Sequence, residues 1–274
     1  MKRILKEEIG RAVKGRGMIM ALVIGCIISL AHVIQYLIPA NQTNLTMDFV
    51  KSPIIYPLIV SSGWLAGEPS NLESFVYFLV LPIIATLPFG TSYFSDRQSG
   101  YLKNLYMRTS RKQLLCSKYA SAFLSGGIAV VLPLILNLAF ALVLLPNLLP
   151  NKILPQNIIC GRNVFFELYF GYPLVYILIF LCIDFIFGGI FSCIALACSF
   201  ISDYKVIVAI CPFFIQLIIH VVCTMLGAFD YSSVYFVQSG YGITNLWVVG
   251  IYVVAGILVS FIIFMRKGEK ENVF

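Results

Sequence analysis

Six long apolar runs dominate this sequence and limit what the chain can fold into. Each is close to or above the roughly 20 residues that an α-helix needs to cross a bilayer core of about 30 Å. The runs are continuous and do not alternate with polar residues as the strands of a membrane barrel do, so they indicate helices. We therefore expect six membrane-spanning helices, at about 18–39, 74–95, 119–146, 173–201, 206–227 and 246–265.

The composition excludes an ordinary soluble protein. Hydrophobic residues make up 60% of the 274 residues, charged residues only 11%, and the mean hydropathy is +0.93. A typical soluble domain carries about 25% charged residues, and a water-facing surface needs more charge than this chain supplies. The sequence therefore predicts an all-α integral membrane protein, with one transmembrane domain over residues 1–274.

The basic residues are divided unequally between the two ends of the predicted spans. Sixteen of the nineteen lie at the end that holds both termini and the 96–118 loop. Because Lys and Arg are enriched in cytoplasmic loops, we expect both termini and this loop in the cytoplasm. The net charge of +7 then reflects topology and contact with anionic lipid head groups. No cytoplasmic segment is long enough to form a basic domain for nucleic acid.

The N-terminal segment, residues 1–17, carries apolar residues at helical spacing within a basic stretch. This pattern is typical of an amphipathic helix in the membrane interface, with its stripe among the acyl chains and its cations at the phosphates. A basic tail that only sets the topology is the alternative. The stripe consists of Ile4, Leu5, Ile9, Ala12 and Val13.

The 96–118 loop carries a helical pattern of apolar residues in addition to its charges. Gly100 permits a break after the second span, and an apolar face recurs over the next two turns. Ser110 and Gln113 have the spacing of a capping box, which indicates a new helix that continues into the third span. We expect a short helix held between two spans and suited to transmitting force from a soluble partner; an ordinary charged loop is the alternative. The apolar face consists of Tyr101, Leu102, Leu105 and Tyr106, and Lys103 and Arg108 lie off it.

The order of residues in this loop resembles that of the type-2 ATP-binding-cassette (ABC) transporter permeases. In that family an acidic residue follows the second span, and a Gly, a Leu-rich stretch, a Ser-Arg pair and a Lys come after it. The six-span plan and the interfacial N-terminal helix are also similar, so the resemblance covers the whole chain. The chain has Thr109 where the family usually has Pro, and Tyr101 where Thr is commoner. The matching positions are Asp96, Gly100, Leu102, Leu105, Ser110, Arg111 and Lys118.

The resemblance implies the permease subunit of an ATP-driven exporter, in the cytoplasmic membrane and by expectation in a bacterium. A second permease subunit, identical or related, would complete the pathway, and a cytoplasmic ATPase dimer would bind ATP and Mg²⁺. This chain has no G-x-x-x-x-G-K-[ST] phosphate loop, so we expect no catalytic activity and no cofactor of its own. Antimicrobial peptides and other amphiphiles are candidate substrates. The implied ATPase-coupling residues are Asp96, Gly100, Leu102, Lys103, Leu105, Tyr106, Arg108 and Arg111.

Asp184 is the one acidic residue well inside a predicted span. An intramembrane carboxylate costs about 2.5–3.5 kcal/mol on insertion scales and usually faces a bundle interior or a water-filled path, although Asp184 is also compatible with the outer interface. An ion-coupled secondary transporter or channel using Asp184 is therefore the alternative function, but no repeat between the halves supports it. An intramembrane enzyme lacks a nucleophile–base or metal constellation, since His32 and His220 are isolated.

Two aromatic-rich stretches, at 164–172 and 231–241, lie in segments expected outside the membrane. Aromatic residues of this kind are typical of side chains at lipid head groups. We expect both stretches to anchor the outer end of the bundle.

Overall fold

The computed structural model describes residues 2–46, 56–107, 109–152, 159 and 161–270. The regular structure of these residues is helical, without a strand. We number the α-helices in chain order. They are α1 (Lys2–Lys14), α2 (Arg16–His32), α3 (Ile38–Thr46), α4 (Val60–Gly63), α5 (Leu72–Thr86), α6 (Ser92–Gln98), α7 (Tyr101–Tyr106), α8 (Arg111–Leu144), α9 (Phe166–Gly171), α10 (Pro173–Cys198), α11 (Lys205–Met225), α12 (Ser233–Phe236) and α13 (Leu246–Lys270).

Five helical segments of the described chain are long and apolar enough to cross a membrane, which makes the protein a multi-pass membrane protein of the all-α class. The first joins α2 to α3 through a π-helical turn at Val33–Leu37. The others are α8, α10, α11 and α13. These five correspond to the first, third, fourth, fifth and sixth predicted spans.

The predicted second span, 74–95, is divided in the structure. Helix α5 has 15 residues, or roughly 22 Å at 1.5 Å per residue, which is shorter than a bilayer core. Residues 87–91 form turns before α6 begins. Pro88 and Gly90 lie in this break, where the missing N–H of proline is tolerated. A sixth crossing would therefore have to combine α5 with α6.

Neighbouring helices hold this break from two sides. The start of α2 approaches so closely that a Cβ on Gly17 would lie 2.1 Å from the carbonyl oxygen of Leu87. Thr86, the last residue of α5, donates its hydroxyl hydrogen to the carbonyl oxygen of Ala209 in α11 at 3.0 Å. Helices α2 and α11 therefore pack directly against the region of the break.

Helices α8 and α10 pack along each other through small residues. Helix α8 has 34 residues, about 50 Å in length, so it extends beyond a bilayer core. A Cβ on Gly126 would lie 2.6 Å from the Cβ of Ser192 and 2.7 Å from the carbonyl oxygen of Gly188. Small residues allow this close approach, and close packing is a main source of helix association in membranes.

The connecting segments at the end opposite α1 fold onto the bundle. Trp64 is fully buried, and the N–H of Leu65 donates to Asn137 Oδ1 of α8 at 2.8 Å. Tyr176 of α10 donates its hydroxyl hydrogen to the carbonyl oxygen of Ser239 at 2.7 Å. These bonds satisfy polar groups that the loops would otherwise bury without partners.

The two aromatic-rich stretches belong to this packed end and not mainly to the surface. Tyr169, Phe170 and Phe236 are buried, whereas Tyr172 and Tyr231 are exposed. The expectation that the stretches serve as head-group anchors is therefore wrong for the buried rings. Periodicity does not distinguish a ring that points to lipid from one that packs under a loop.

The close α8–α10 contact predicts that a larger residue at position 126 destabilises the protein. Replacing Gly126 by Ala should lower the free energy of unfolding by about 1–3 kcal/mol, because the added methyl group overpacks a filled contact. The matched change Gly250→Ala meets nothing within 4 Å and should be neutral or slightly stabilising, because Ala favours helix over Gly. Thermal unfolding in one detergent measures both, and equal melting temperatures would contradict the packing.

Candidate functional site

The 96–118 loop singled out in the sequence begins in the last turn of α6, includes α7 and ends in the first turns of α8. Gly100 separates α6 from α7 with a φ of 73°, a left-handed conformation that favours glycine. The predicted break and the short helix after it are confirmed. Helix α8 begins with Ser110 at its N-cap position, as expected, but the Ser110 hydroxyl makes no capping hydrogen bond within the described chain.

The apolar face of α7 is turned into the protein. Leu102 is fully buried in a cluster that includes Leu115 of α8 and Phe264 of α13. Leu105 and Tyr106 are half-buried against the same cluster. Helix α7 is therefore seated on the bundle.

The opposite face of α7 is open. Lys103 and Asn104 are exposed, Met107 is 73% exposed, and Tyr101 is 42% exposed. Residues three and four apart share one side of a helix, so Lys103, Asn104 and Met107 form one outward surface. We call these three residues the α7 outer face.

Four charged side chains from three helices meet next to α7. We call Glu8 and Arg11 of α1, Asp96 of α6 and Lys118 of α8 the ion cluster. Lys118 Nζ donates to Glu8 Oε2 at 3.2 Å and also to Asp96 Oδ2. Arg11 binds the Asp96 carboxylate through two hydrogen bonds of 2.7 and 3.1 Å, which is bidentate geometry. Two cations thus balance two anions.

The ion cluster is largely withdrawn from solvent. The Lys118 side chain is 0% exposed and that of Glu8 4%, that of Asp96 7% and that of Arg11 39%. Burying an ion costs several kcal/mol unless other charges and hydrogen bonds compensate it. Lys118 therefore requires both carboxylates, which come from helices far apart in sequence.

Aromatic rings complete the surroundings of the two cations. The Lys118 ammonium lies 5.3 Å from the ring centre of Phe89, and the Arg11 guanidinium lies 5.0 Å from that of Tyr101. Both distances are within the range of cation–π attraction. Through Tyr101, the ion cluster contacts the first residue of α7.

The electrostatics favour the charged forms. Burial alone would raise the pKa of the Asp96 carboxyl, but the hydrogen bonds and charges of Arg11 and Lys118 lower it below its ordinary value. The hydrogen bond to Asp96 raises the pKa of the Arg11 guanidinium against the opposing effect of burial. The ion pair between α1 and α6 is therefore intact around neutral pH.

Further contacts connect the loop to the last spans. Arg97 lies 3.2 Å from Asp203 in the turn before α11. Arg111 stacks over the Tyr106 ring at 5.0 Å and donates to the carbonyl oxygen of Glu269 in α13 at 3.2 Å. Exposed pairs of this kind add little stability; they join α6 to the turn before α11, and α7 and α8 to the end of α13.

The predicted coupling residues thus occupy different environments. Asp96 and Leu102 are inside the protein, so their side chains position α7 and do not face a partner. Lys103 lies on the α7 outer face, and Arg111, the first residue of α8, lies over the Tyr106 ring of α7. Arg108 falls outside the described residues.

Sequence reasoning overlooked Glu8 and assigned Arg11 to the topology charge and to the lipid-facing cations of an interfacial helix. A signal was present, because Ile4, Glu8 and Ala12 recur at four-residue spacing on one helix face. An acid in the middle of an apolar stripe indicates a buried cationic partner. The structure confirms that residues 2–14 are helical, and it packs α1 against α8.

Asp184 lies in the middle of α10, apart from the ion cluster, and is fully buried. Its two carboxylate oxygens have no hydrogen-bond partner among the described residues. Tyr77 of α5 lies within electrostatic range of it, but donates its hydroxyl hydrogen to the carbonyl oxygen of Val130 at 2.5 Å. The structure therefore places Asp184 inside the bundle.

The two histidines are hydrogen-bonded bundle residues, as expected. His32 lies within 3.2 Å of Asn137 and 3.4 Å of Asn71 through its two ring nitrogens. His220 Nδ1 lies 2.9 Å from Ser232 Oγ. In the part of the chain that the structure describes, no group of three or more His, Cys, Asp or Glu residues is arranged to hold a metal ion.

No protein-family model, curated protein or solved structure matches this chain. Its functional assignment therefore depends on its own residues and their geometry.

Removal of the Lys118 charge tests the ion cluster. Lys118→Met should destabilise the protein by about 3–5 kcal/mol, because it leaves Glu8 and Asp96 buried without their shared cation. Lys112→Met is the matched control, since the Lys112 side chain is 76% exposed and lies 3.9 Å from Glu269. Thermal unfolding in detergent measures both, and a similar melting temperature for the two variants would show that the cluster adds no stability.

The pKa of Asp96 predicts the pH dependence. Because it is lower in the folded chain than in the unfolded one, the stabilisation is complete above the ordinary Asp pKa of about 3.9. It is lost as the pH falls through the lower, folded value. The melting temperature of wild type should therefore fall more steeply on acidification than that of Asp96→Asn, and identical acid profiles would contradict this assignment.

Proposed function

We propose that this chain is the permease subunit of an ATP-driven exporter, moved by a separate cytoplasmic ATPase that docks on α7. It has no catalytic role, and ATP and Mg²⁺ belong to the ATPase. A second permease subunit, identical or related, completes the pathway in a bacterial cytoplasmic membrane. Amphiphiles, including antimicrobial peptides, are the proposed substrate class.

The seating of α7 is the observation that supports this proposal. Its inner face is buried through Leu102, and its first residue contacts the ion cluster through Arg11. Helix α8 follows after a few residues and is joined to α1 and α6 through Lys118. A load on α7 would therefore be transmitted to three helices at once, which a flexible charged loop does not do.

The α7 outer face provides a contact surface of suitable chemistry. It combines a cation, a carboxamide and the exposed side chain of Met107. Methionine adapts to irregular apolar pockets, and Lys103 favours an acidic rim on the partner. Leu105 and Tyr106 are poorer test positions, because they pack against the bundle.

The proposed topology has six crossings with both termini in the cytoplasm. The division between α5 and α6 is compatible with it, because the predicted span, residues 74–95, still contains the roughly 20 residues of a crossing. With six crossings, α1, α7 and the end of α13 lie on one side. The bond between Arg111 and Glu269 joins α8 to the end of α13, in agreement with this arrangement.

Charge reversal on the α7 outer face tests the proposal. The tagged chain is purified from membranes of its native host, and the bound ATPase subunit and its ATP hydrolysis are quantified. The double variant Lys103→Glu, Met107→Asp should lose most of the ATPase. Its new carboxylates would face the apolar pocket and the acidic rim proposed for the partner. Lys14→Glu, an exposed position on α1, should retain it.

Two results would contradict the assignment. One is a wild-type preparation without an ATPase subunit, and the other is unchanged ATP hydrolysis in the double variant. Circular dichroism and monodisperse elution of each variant establish that the fold is kept, since both mutated side chains are exposed.

The burial of Asp184 without a hydrogen-bond partner in the described part of the chain favours a second candidate, an ion-coupled transporter or channel. In that case Asp184→Asn would abolish transport driven by an ion gradient without any ATPase. Substrate transport that is unchanged in Asp184→Asn and dependent on ATP would exclude it.

A further inference from the structure

An apolar cleft runs along the side of the bundle between α11 and α13. Helix α10 packs against both helices and forms its floor. The cleft has a volume of about 510 Å³, and its walls include Ile215 and Ile219 of α11 and Ala255, Val259 and Ile263 of α13. It is half-open to the surroundings of the protein, which for these spanning helices is the bilayer.

The width of the occupant matters, because the cleft has a volume of only about 510 Å³. A helix is about 10 Å wide with its side chains, so a neighbouring helix would insert only the side chains of one face. A single acyl chain is thinner than a helix and matches the apolar walls, and lipid supplies such chains on every side.

The charge at one end of the cleft indicates the head group. The last residue of α13 that lines the cleft is Ile263. The same face of the helix continues with Arg266, Lys267 and Lys270, at the third, fourth and seventh positions beyond it. All three are exposed. Within the described chain, no carboxylate forms an ion pair with any of them.

We propose that the cleft binds one anionic phospholipid, with an acyl chain between α11 and α13 and its phosphate at Arg266 and Lys267. The lipid comes from the leaflet at the α1 end of the bundle, where basic residues attract anionic head groups. The site needs only a chain embedded in a bilayer and is independent of the ATPase assignment. It fills a side of the bundle that the protein's own side chains leave open.

Lipid retention measures this site directly. The full chain is reconstituted in nanodiscs of phosphatidylglycerol and phosphatidylcholine in equal amounts, released into mild detergent and weighed by native mass spectrometry. Wild type should retain one phosphatidylglycerol per chain. The double variant Arg266→Gln, Lys267→Gln should reduce the preference for phosphatidylglycerol over phosphatidylcholine by about tenfold or more, because each cation near a surface adds to the attraction.

Variants at two adjacent positions on α13 distinguish the effect of filling the cleft from the effect of adding a large side chain elsewhere on the helix. Ala255→Trp places a ring in the cleft and should abolish lipid retention. Val254→Trp adds the same ring to a residue that is exposed and lies outside the cleft lining, and it should retain the lipid. Val259→Trp is a second cleft variant, used if Ala255→Trp does not elute as a folded species.

Three outcomes would overturn the proposal. They are a wild-type chain without lipid, equal retention of the two lipids, and equal loss in the Ala255 and Val254 variants. A lipid-free wild-type dimer that Ala255→Trp converts to a monomer would instead assign the cleft to a second copy of the chain. Loss of the ATPase without loss of lipid would affect only the transport assignment.

Discussion

The buried ammonium group of Lys118 is the constraint on which the α1 end of the bundle depends. It is fully withdrawn from solvent, and a buried ion is tolerated only when partners replace its water. Asp96 and Glu8 supply the replacement, and Arg11 neutralises the excess negative charge that two carboxylates would otherwise leave. Helix α1 must therefore fold back along α8, and α6 must end where its acid reaches the same point. A single cation thus determines the position of three helices.

The same contacts determine how the region moves. Ion pairs and hydrogen bonds join α1, α6 and α8, and the approach of Gly17 to the Leu87 carbonyl leaves no space between α2 and the break before α6. Packed interfaces of this kind shift between discrete arrangements and do not deform continuously. A displacement of α7 is therefore expected to move α1, α6 and α8 together.

Local pattern predicted most of the architecture, because a spanning helix is encoded by a continuous apolar run. The positions of five spans, the break at Gly100 and the start of α8 near Ser110 all depend on neighbouring residues in the sequence. Pro88 and Gly90 indicate the division of the second span. The apolar run continues across them, however, so hydropathy alone predicts a single helix. The ion cluster could not be predicted from local pattern, because Glu8 and Lys118 are 110 positions apart and their pairing depends on tertiary packing. Burial of Tyr169 and Phe236 was also set by packing, which composition does not encode.

Asp96 and Asp184 show why burial of an acid does not by itself indicate function. Asp96 has two cationic partners, so its burial is explained by the fold, in which it joins α6 to α1 and α8. Asp184 is equally buried but has no hydrogen-bond partner among the described residues, and each buried polar group without a partner requires an explanation. The Asp184 side chain is fully withdrawn from solvent in this arrangement. A role for Asp184 therefore depends on a second arrangement of the bundle in which water or substrate reaches it, and motion of α8 with α7 is the displacement that would provide one.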